Sequence, residues 1–223
     1  MAGRIAALVG DYYHNAEPMV EALDAAARSL GLTLDPFQDP MALAWDRLQS
    51  YRALIVAREN RTAPPDPKPV WAGPRHEAAL AGFVQAGGAL LVLHAGLASY
   101  PAAGPWFDTV RGAFQFHPSE HPPIAVRVRE QPPVPQSDHP ILEGFAPFEV
   151  QDELYFVRVD SARTTCLLDS FSPDYGGSCA AWAHAVGKGR VFGLTPGHTA
   201  PVLENPSYRQ VLARGFGWAL GEM

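Results

Sequence analysis

The stretch Gly87–Gly96, "GGALLVLHAG", decides how the rest of the chain is read. The apolar run Ala89–Leu93 sits between a glycine pair and His94-Ala95-Gly96. Such a run reads as a strand buried on both faces, as in parallel sheets covered by helices. Immediately before it, "RHEAALAGFVQAGG" carries apolar residues at helical spacing and ends on the same glycines. Working outward towards the N-terminus, "RIAALVG" is a first buried strand. "EPMVEALDAAARSLG" is a helix with Pro18 in its first turn and Gly31 just past its end. "LTLDPF" and "YRALIVA" follow as strands. This alternation of strand and helix predicts a doubly wound, mostly parallel sheet.

Beyond Gly96 the pattern changes. "PIAVRVRE", "FEVQDELYFVRV", "TTCLLDS", "CAAWAHAVG" and "GRVFGLTPG" read as strands in quick succession, and "AVGKGRVF" as a hairpin. A last helix, "NPSYRQVLARGFGWALG", is capped by Asn205 with Pro206 in its first position. The expected architecture is a single α/β domain over residues 1–223. Its sheet is mostly parallel and doubly wound, with antiparallel strands towards one edge. Prolines, 22 of 223 residues, cluster in "RTAPPDPKPVWAGPR" and "HPSEHPPIAVRVREQPPVPQSDHP". Because proline breaks helix interiors and central strands, both segments are expected as ordered loops or edge structure.

Composition narrows the function classes. A formal charge of −6 argues against a nucleic-acid surface, which needs clustered Lys and Arg. No run approaches the roughly 20 apolar residues that span a bilayer. Cys166 and Cys179 are the only cysteines and lack CxxC spacing, so neither a disulfide framework nor a zinc ribbon is indicated. The N-terminus reads as a strand rather than a signal peptide, and the expected location is cytoplasmic. A small-molecule ligand is the expected partner, with the apolar C-terminal helix open to packing on the sheet or on a second subunit in a homodimer.

In open parallel sheets, ligands bind at the carboxyl ends of the strands. The polar residues there are Asp11, Tyr12, Tyr13 and His14 after the first strand, Arg58–Arg61 after the third and His94 after the fourth. His117, His139 and His198 lie next to Pro or Gly on rigid turns, which hold side chains in fixed directions. Glu153 stands out with Asp152 as an acidic pair in "VQDELY", where an unpartnered carboxylate is costly. Asp152 can serve as a cap. A histidine beside a carboxylate moves protons near neutral pH, which makes His94 and Glu153 acid–base candidates. The same residue types can hold a divalent metal such as zinc, with His94, His117, His139 and His198 as ligands, although no HExxH spacing is present. The plainer readings leave His121 as an exposed loop residue, His76 and His184 as surface or core residues, Cys179 as a buried small side chain and Phe116 as core. No GxSxG elbow is present, which counts against a serine hydrolase.

The segments "GGALLVLHAG", "VRGAFQFHP", "SDHPILEGF", "FEVQDELY", "CAAWAHAVGKGRVFGLTPGH" and "YRQVLARGFGWALG", taken in this order, resemble the ThuA-like (trehalose utilisation) family. That family belongs to the class I glutamine amidotransferase-like superfamily with its flavodoxin-like fold. The resemblance covers most of the chain from Gly87 onward; the first 85 residues resemble the fold more than any motif. In class I amidotransferases the corresponding strand ends in a GxCxG elbow bearing a nucleophilic cysteine. Here "VLHAG" places His94 or Ala95 there, so glutamine hydrolysis through a thioester is not expected. Ala113 in "GAFQFHP" stands where the family usually has a second glycine. The resemblance implies a carbohydrate substrate, such as an oxidised (keto) sugar derived from a disaccharide, and matching positions at His94, His117, His139, Glu153 and His198. Sugars bind through aromatic faces and paired polar groups. Tyr12, His14, His117, His139, Tyr155 and His198 are therefore the expected substrate contacts, with Tyr13, Tyr100, Trp106 and Phe116 as further aromatic candidates. The expectation is an enzyme acting on a sugar or keto-sugar as a lyase, isomerase or hydrolase. A non-catalytic carbohydrate-binding or assembly protein on the same scaffold is the alternative.

Overall fold

The computed structural model describes residues 3–130 and 138–223. The strands are β1 Arg4–Val9, β2 Thr33–Phe37, β3 Ala53–Ala57, β4 Ala89–Leu93, β5 Gly112–Phe116 and β6 Pro123–Val128. They continue with β7 Phe148–Gln151, β8 Phe156–Val159, β9 Thr165–Ser172, β10 Gly176–Val186 and β11 Gly189–Leu194. The helices are α1 Ala16–Ser29, α2 Pro74–Gln85, α3 Pro105–Val110, α4 Ala200–Glu204 and α5 Pro206–Leu220.

Nine strands form one sheet in the order β2-β1-β3-β4-β11-β10-β9-β6-β7. From β2 to β11 the neighbours are parallel, and from β11 to β7 they are antiparallel. The sequence predicts this mixed, doubly wound arrangement. β4 lies between β3 and β11, and its Leu90–Leu93 side chains are fully buried. Side chains alternate across the sheet: Ile5, Ala7 and Val9 join a core with residues of α1 and α5, while Ala6 and Leu8 join one with residues of α2 and α3. Each fully buried Leu or Val contributes about 1.5–3 kcal/mol, so the double-sided core makes the strand ends a rigid platform. Between β1 and β3 the strand order reverses, because β2 lies on one side of β1 and the later parallel strands on the other. That switch point opens a crevice beyond the carboxyl ends of the strands.

Helix punctuation follows the sequence. Asn15 caps α1, accepting from Glu17 N, and Asn205 caps α5, accepting from Ser207 N and Tyr208 N. Other expectations need correction. "FEVQDELYFVRV" is not one strand. It divides into β7, in the large sheet, and β8, paired with β5 in a separate ribbon. Asp152 lies at the break, and its carboxylate takes backbone N–H groups of another loop. Phe116 does not enter the core but is 55 % exposed. A register shift between Phe114 and Phe116 accompanies this change, and the ring stacks on Phe156 at 4.5 Å instead. Tyr100 and Trp106 are core residues stacked on each other at 4.0 Å, unavailable to a sugar ring. The first proline-rich segment is an ordered loop, tied by the Arg61–Val70 bridge and by Trp71 Nε1–H donating to the Glu59 carbonyl. In the second, residues 123–128 form β6, paired on both sides, and residues 131–137 lie outside the described residues.

Candidate metal and carbohydrate site

Four loops converge on the crevice, each leaving the sheet near the switch point or beside it. His14 follows β1, His94 follows β4, Glu153 follows β7 and His198 follows β11. His94 adopts φ +41°, a left-handed conformation rare for a residue with a Cβ, at a tight turn directly after the strand. Gly96 makes that turn possible, because a Cβ there would lie 2.0 Å from the Val56 carbonyl oxygen. The turn therefore has the form of an elbow, but it presents an imidazole rather than a thiol. Cys166 and Cys179 are buried on β9 and β10.

One ring nitrogen of each of two histidines is fixed. His94 Nδ1 lies 2.8 Å from the Thr195 carbonyl and must carry the proton, since a carbonyl only accepts. His14 Nδ1 lies 2.7 Å from Asp11 Oδ1. Their Nε2 atoms consequently face the crevice, and neither has a hydrogen-bond partner among the described residues. His198 Nδ1 likewise has none. Its loop is held by Asp152, which accepts from the N–H groups of Gly197 (2.8 Å), His198 (3.0 Å) and Thr199 (3.0 Å). Tyr155 stacks on the His94 ring at 4.2 Å, and burial raises its phenol pKa well above the ordinary value.

Glu153 is the hub. Its Oε2 lies 3.3 Å from His94 Nε2 and 3.3 Å from His198 Nδ1, and its Oε1 lies 3.6 Å from His117 Nε2 and 3.7 Å from His121 Nε2. Burial pushes its pKa up, but the His198 and His94 rings outweigh that and hold the carboxyl well below the usual carboxylate range. A proton on His94 Nε2 or His198 Nδ1 makes each 3.3 Å contact an ion pair with the carboxylate, and a bound cation takes the place of that proton. One ligand atom from each of His14, His94, Glu153 and His198 can be chosen so that all lie within 4.8 Å of one another. The donor set suits a divalent cation, zinc among them, and ligand distances near 2.0–2.2 Å require these side chains to draw together around it. The His14–Asp11 pair adds the carboxylate–histidine support usual behind such ligands.

This grouping differs from the expected metal set. His94 and His198 converge, His14 and Glu153 join them, and His117 is reached through Glu153. His139 does not belong. It caps a short turn, with its Nδ1 accepting from Ile141 N at 3.3 Å, and its ring lies 5.5 Å from Trp218. The turn-forming role of "DHP" accounts for it, so His139 contacts neither the cluster nor the cavity. His121, read as a plain loop residue, does face Glu153, and the HPSEH spacing that sets it beside His117 was its available signal. Tyr12 is 74 % exposed and stands outside the cavity lining, which Tyr13 and Tyr155 enter.

A cavity of about 420 Å³ opens beside the cluster, lined by His14, His117, Glu153, Tyr155 and His198 on the cluster side and by Glu59, Arg61 and Ser99 from the exits of β3 and β4. A family model described as ThuA, trehalose utilisation, matches residues 5–219. The chain belongs to the ThuA family. Among solved structures, a ThuA-like protein from Parabacteroides merdae is 15 % identical with a TM-score of 0.75, covering 100 % of this chain and 91 % of that one. A ThuA-like protein from Bacteroides uniformis is 17 % identical with a TM-score of 0.72, covering 98 % and 91 %. A β-galactosidase from Rahnella sp. R3 is 12 % identical with a TM-score of 0.64, this chain matching 31 % of its length. At these identities the likeness is one of fold. No curated protein sequence matches the chain. Among the described residues, no helix of this ThuA-family chain is long and apolar enough to cross a membrane.

Proposed function

We propose that the chain is an enzyme acting on a sugar or keto-sugar, with a divalent cation held by His14, His94, Glu153 and His198. One observation carries this reading: His14, His94, His198 and Glu153 each bring a ligand atom into a 4.8 Å spread beside a cavity, and each of the three histidines has a ring nitrogen without a hydrogen-bond partner among the described residues. Buried polar atoms normally find partners, and leaving each one unpaired costs about 1–3 kcal/mol. A cation satisfies all three lone pairs at once, and the negative charge of Glu153 offsets part of its own. When bound, such an ion supplies positive charge to a carbonyl or hydroxyl oxygen of the sugar.

The chain's own side chains divide the remaining work. Glu153 and His94 both belong to the proposed ligand set. Proton transfer therefore moves from these two to His117. Its Nδ1–H donates to the Pro118 carbonyl at 2.6 Å, which directs Nε2 towards Glu153 on the cavity wall. Tyr155, kept protonated by burial, is an O–H donor for a substrate oxygen. The family's description, trehalose utilisation, and the aromatic rings of Tyr13 and Tyr155 in the cavity support a carbohydrate ligand.

The test combines metal analysis of the purified chain with turnover of 3-keto-trehalose. Stoichiometric zinc binding that is lost in His94→Ala, together with turnover lost in His117→Ala, is the expected result. If the chain takes up no divalent metal, the cluster assignment fails. Sugar binding with no turnover would instead make the chain a carbohydrate-binding protein.

A further inference from the structure

We propose that Glu59, Arg61 and Ser99 form a hydroxyl-recognising subsite in the same cavity, which selects a neutral sugar ring carrying adjacent hydroxyls over an acidic one. The inference rests on the carbohydrate reading above and names the part of the cavity that chooses the substrate.

Glu59 is 2 % exposed, yet it lines the cavity. Its Oε1 accepts from Ser99 Oγ at 2.7 Å and from Arg61 Nε. Its Oε2 accepts no hydrogen bond from the described residues, and it is not sealed from solvent, so it is the oxygen left to a ligand. Burying a carboxylate is costly, and an ion pair in a core is often no more stabilising than apolar residues of the same size. This pair does not fill the core: Arg61 and Ser99 also open on the cavity. Ser99 moreover holds φ +64°, a strained conformation for a non-glycine residue. The strain is held by the loops themselves, since Asn60 donates from its backbone N to the Ala98 carbonyl and from Nδ2 to the Ser99 carbonyl, both at 3.1 Å.

The subsite is joined to the histidine cluster through one side chain. Asp11 accepts from His14 Nδ1 on Oδ1 at 2.7 Å and from the Glu59 backbone N–H on Oδ2 at 2.8 Å. Glu59 and the cluster residues His14, Glu153 and His198 line the same cavity.

Charge decides which ring. Arg61 is already neutralised by Glu59, so a sugar carboxylate meets an occupied cation and a like charge. A vicinal diol can donate one hydroxyl to Glu59 Oε2 while the other accepts from the guanidinium, satisfying both groups without adding charge.

Calorimetric titration of the purified full chain with trehalose and with glucuronate tests this. The wild type is expected to bind trehalose and to bind glucuronate much more weakly. In Glu59→Gln, trehalose affinity falls about tenfold or more, the scale of a lost hydrogen bond to a charged group. Glucuronate affinity rises in the same variant, because Arg61 is released from its partner. A side chain that merely supported the loop would weaken both ligands together. Ser99→Ala, which withdraws one partner from Glu59 Oε1, is the milder second variant and lowers trehalose affinity severalfold. It keeps the test readable if Glu59→Gln does not fold. Unchanged trehalose affinity in the folded variants, or a wild type that prefers glucuronate, overturns the subsite and leaves the carbohydrate reading standing. A wild type that binds neither sugar overturns both.

Discussion

His184 shows how a single buried ring sets a pH limit without touching the candidate site. It is 6 % exposed on β10, and its Nε2–H donates to the Thr109 carbonyl at 2.9 Å. Burial lowers its pKa from 6.5 to about 4. The folded state therefore resists a proton that the unfolded chain accepts. The contribution is fully present above pH 6.5, shrinks as pH falls from 6.5 to 4, and is gone below both values. Its size is about 3 kcal/mol for a shift of this extent. His184→Gln keeps an N–H near the same carbonyl and cannot titrate. Thermal melting followed from pH 7 to pH 4 should show a shallower loss for the variant than for the wild type; parallel curves would disprove the assignment. At the same scale, Asp11→Asn should weaken zinc binding about 10–100-fold, the usual effect of losing the carboxylate behind a histidine ligand. Competition with a chromogenic chelator measures it.

Short connections, more than strands, carry the candidate site. The turn after β4 turns a buried strand into a presented imidazole, and Gly96 leaves no room for even a methyl group beside Val56 O. Gly96→Ala must displace that turn or β3, with an expected cost of about 1–3 kcal/mol typical of forced overpacking and backbone shift. Urea unfolding reads the loss, and zinc affinity should fall with it because His94 moves. The loop after β11 depends on Asp152, whose carboxylate takes three backbone N–H groups. Asp152→Ala orphans all three, one buried and two part-buried, and a loss of roughly 3 kcal/mol is expected. If the melting temperature of Asp152→Ala matches the wild type, that loop is held by something else.

Across the whole molecule, the four cluster residues come from positions 14, 94, 153 and 198 and meet only when the sheet is assembled. A ligand that needs all four binds the folded state alone, so it stabilises by mass action. Zinc at 100 times its dissociation constant should add about 2.7 kcal/mol and raise the melting temperature, and excess chelator should reverse the gain. No shift on adding zinc would mean that the four groups do not act together.

Much of the architecture is legible in one dimension. Apolar runs such as Ala89–Leu93, and helices closed by Asn caps and terminal glycines, report local preferences and two-sided burial, both of which depend on neighbours along the chain. From these come the doubly wound sheet, the parallel half, the antiparallel edge and the carboxyl-end location of the polar residues. The grouping of those residues is another matter. His139 and His198 look alike in sequence, each beside a Pro or Gly turn; one packs near Trp218 and the other faces Glu153. His121 reads as a loop residue until β6 and β7 bring its loop beside Glu153. Phe116 reads as core until a register shift coincides with its exposure. The sequence by itself determined which segments are buried and where polar residues emerge, because burial periodicity is a local property. Only the tertiary structure decided which histidines converge and which carboxylate they share, because that depends on strand order and on turns that bring distant positions within a few ångströms.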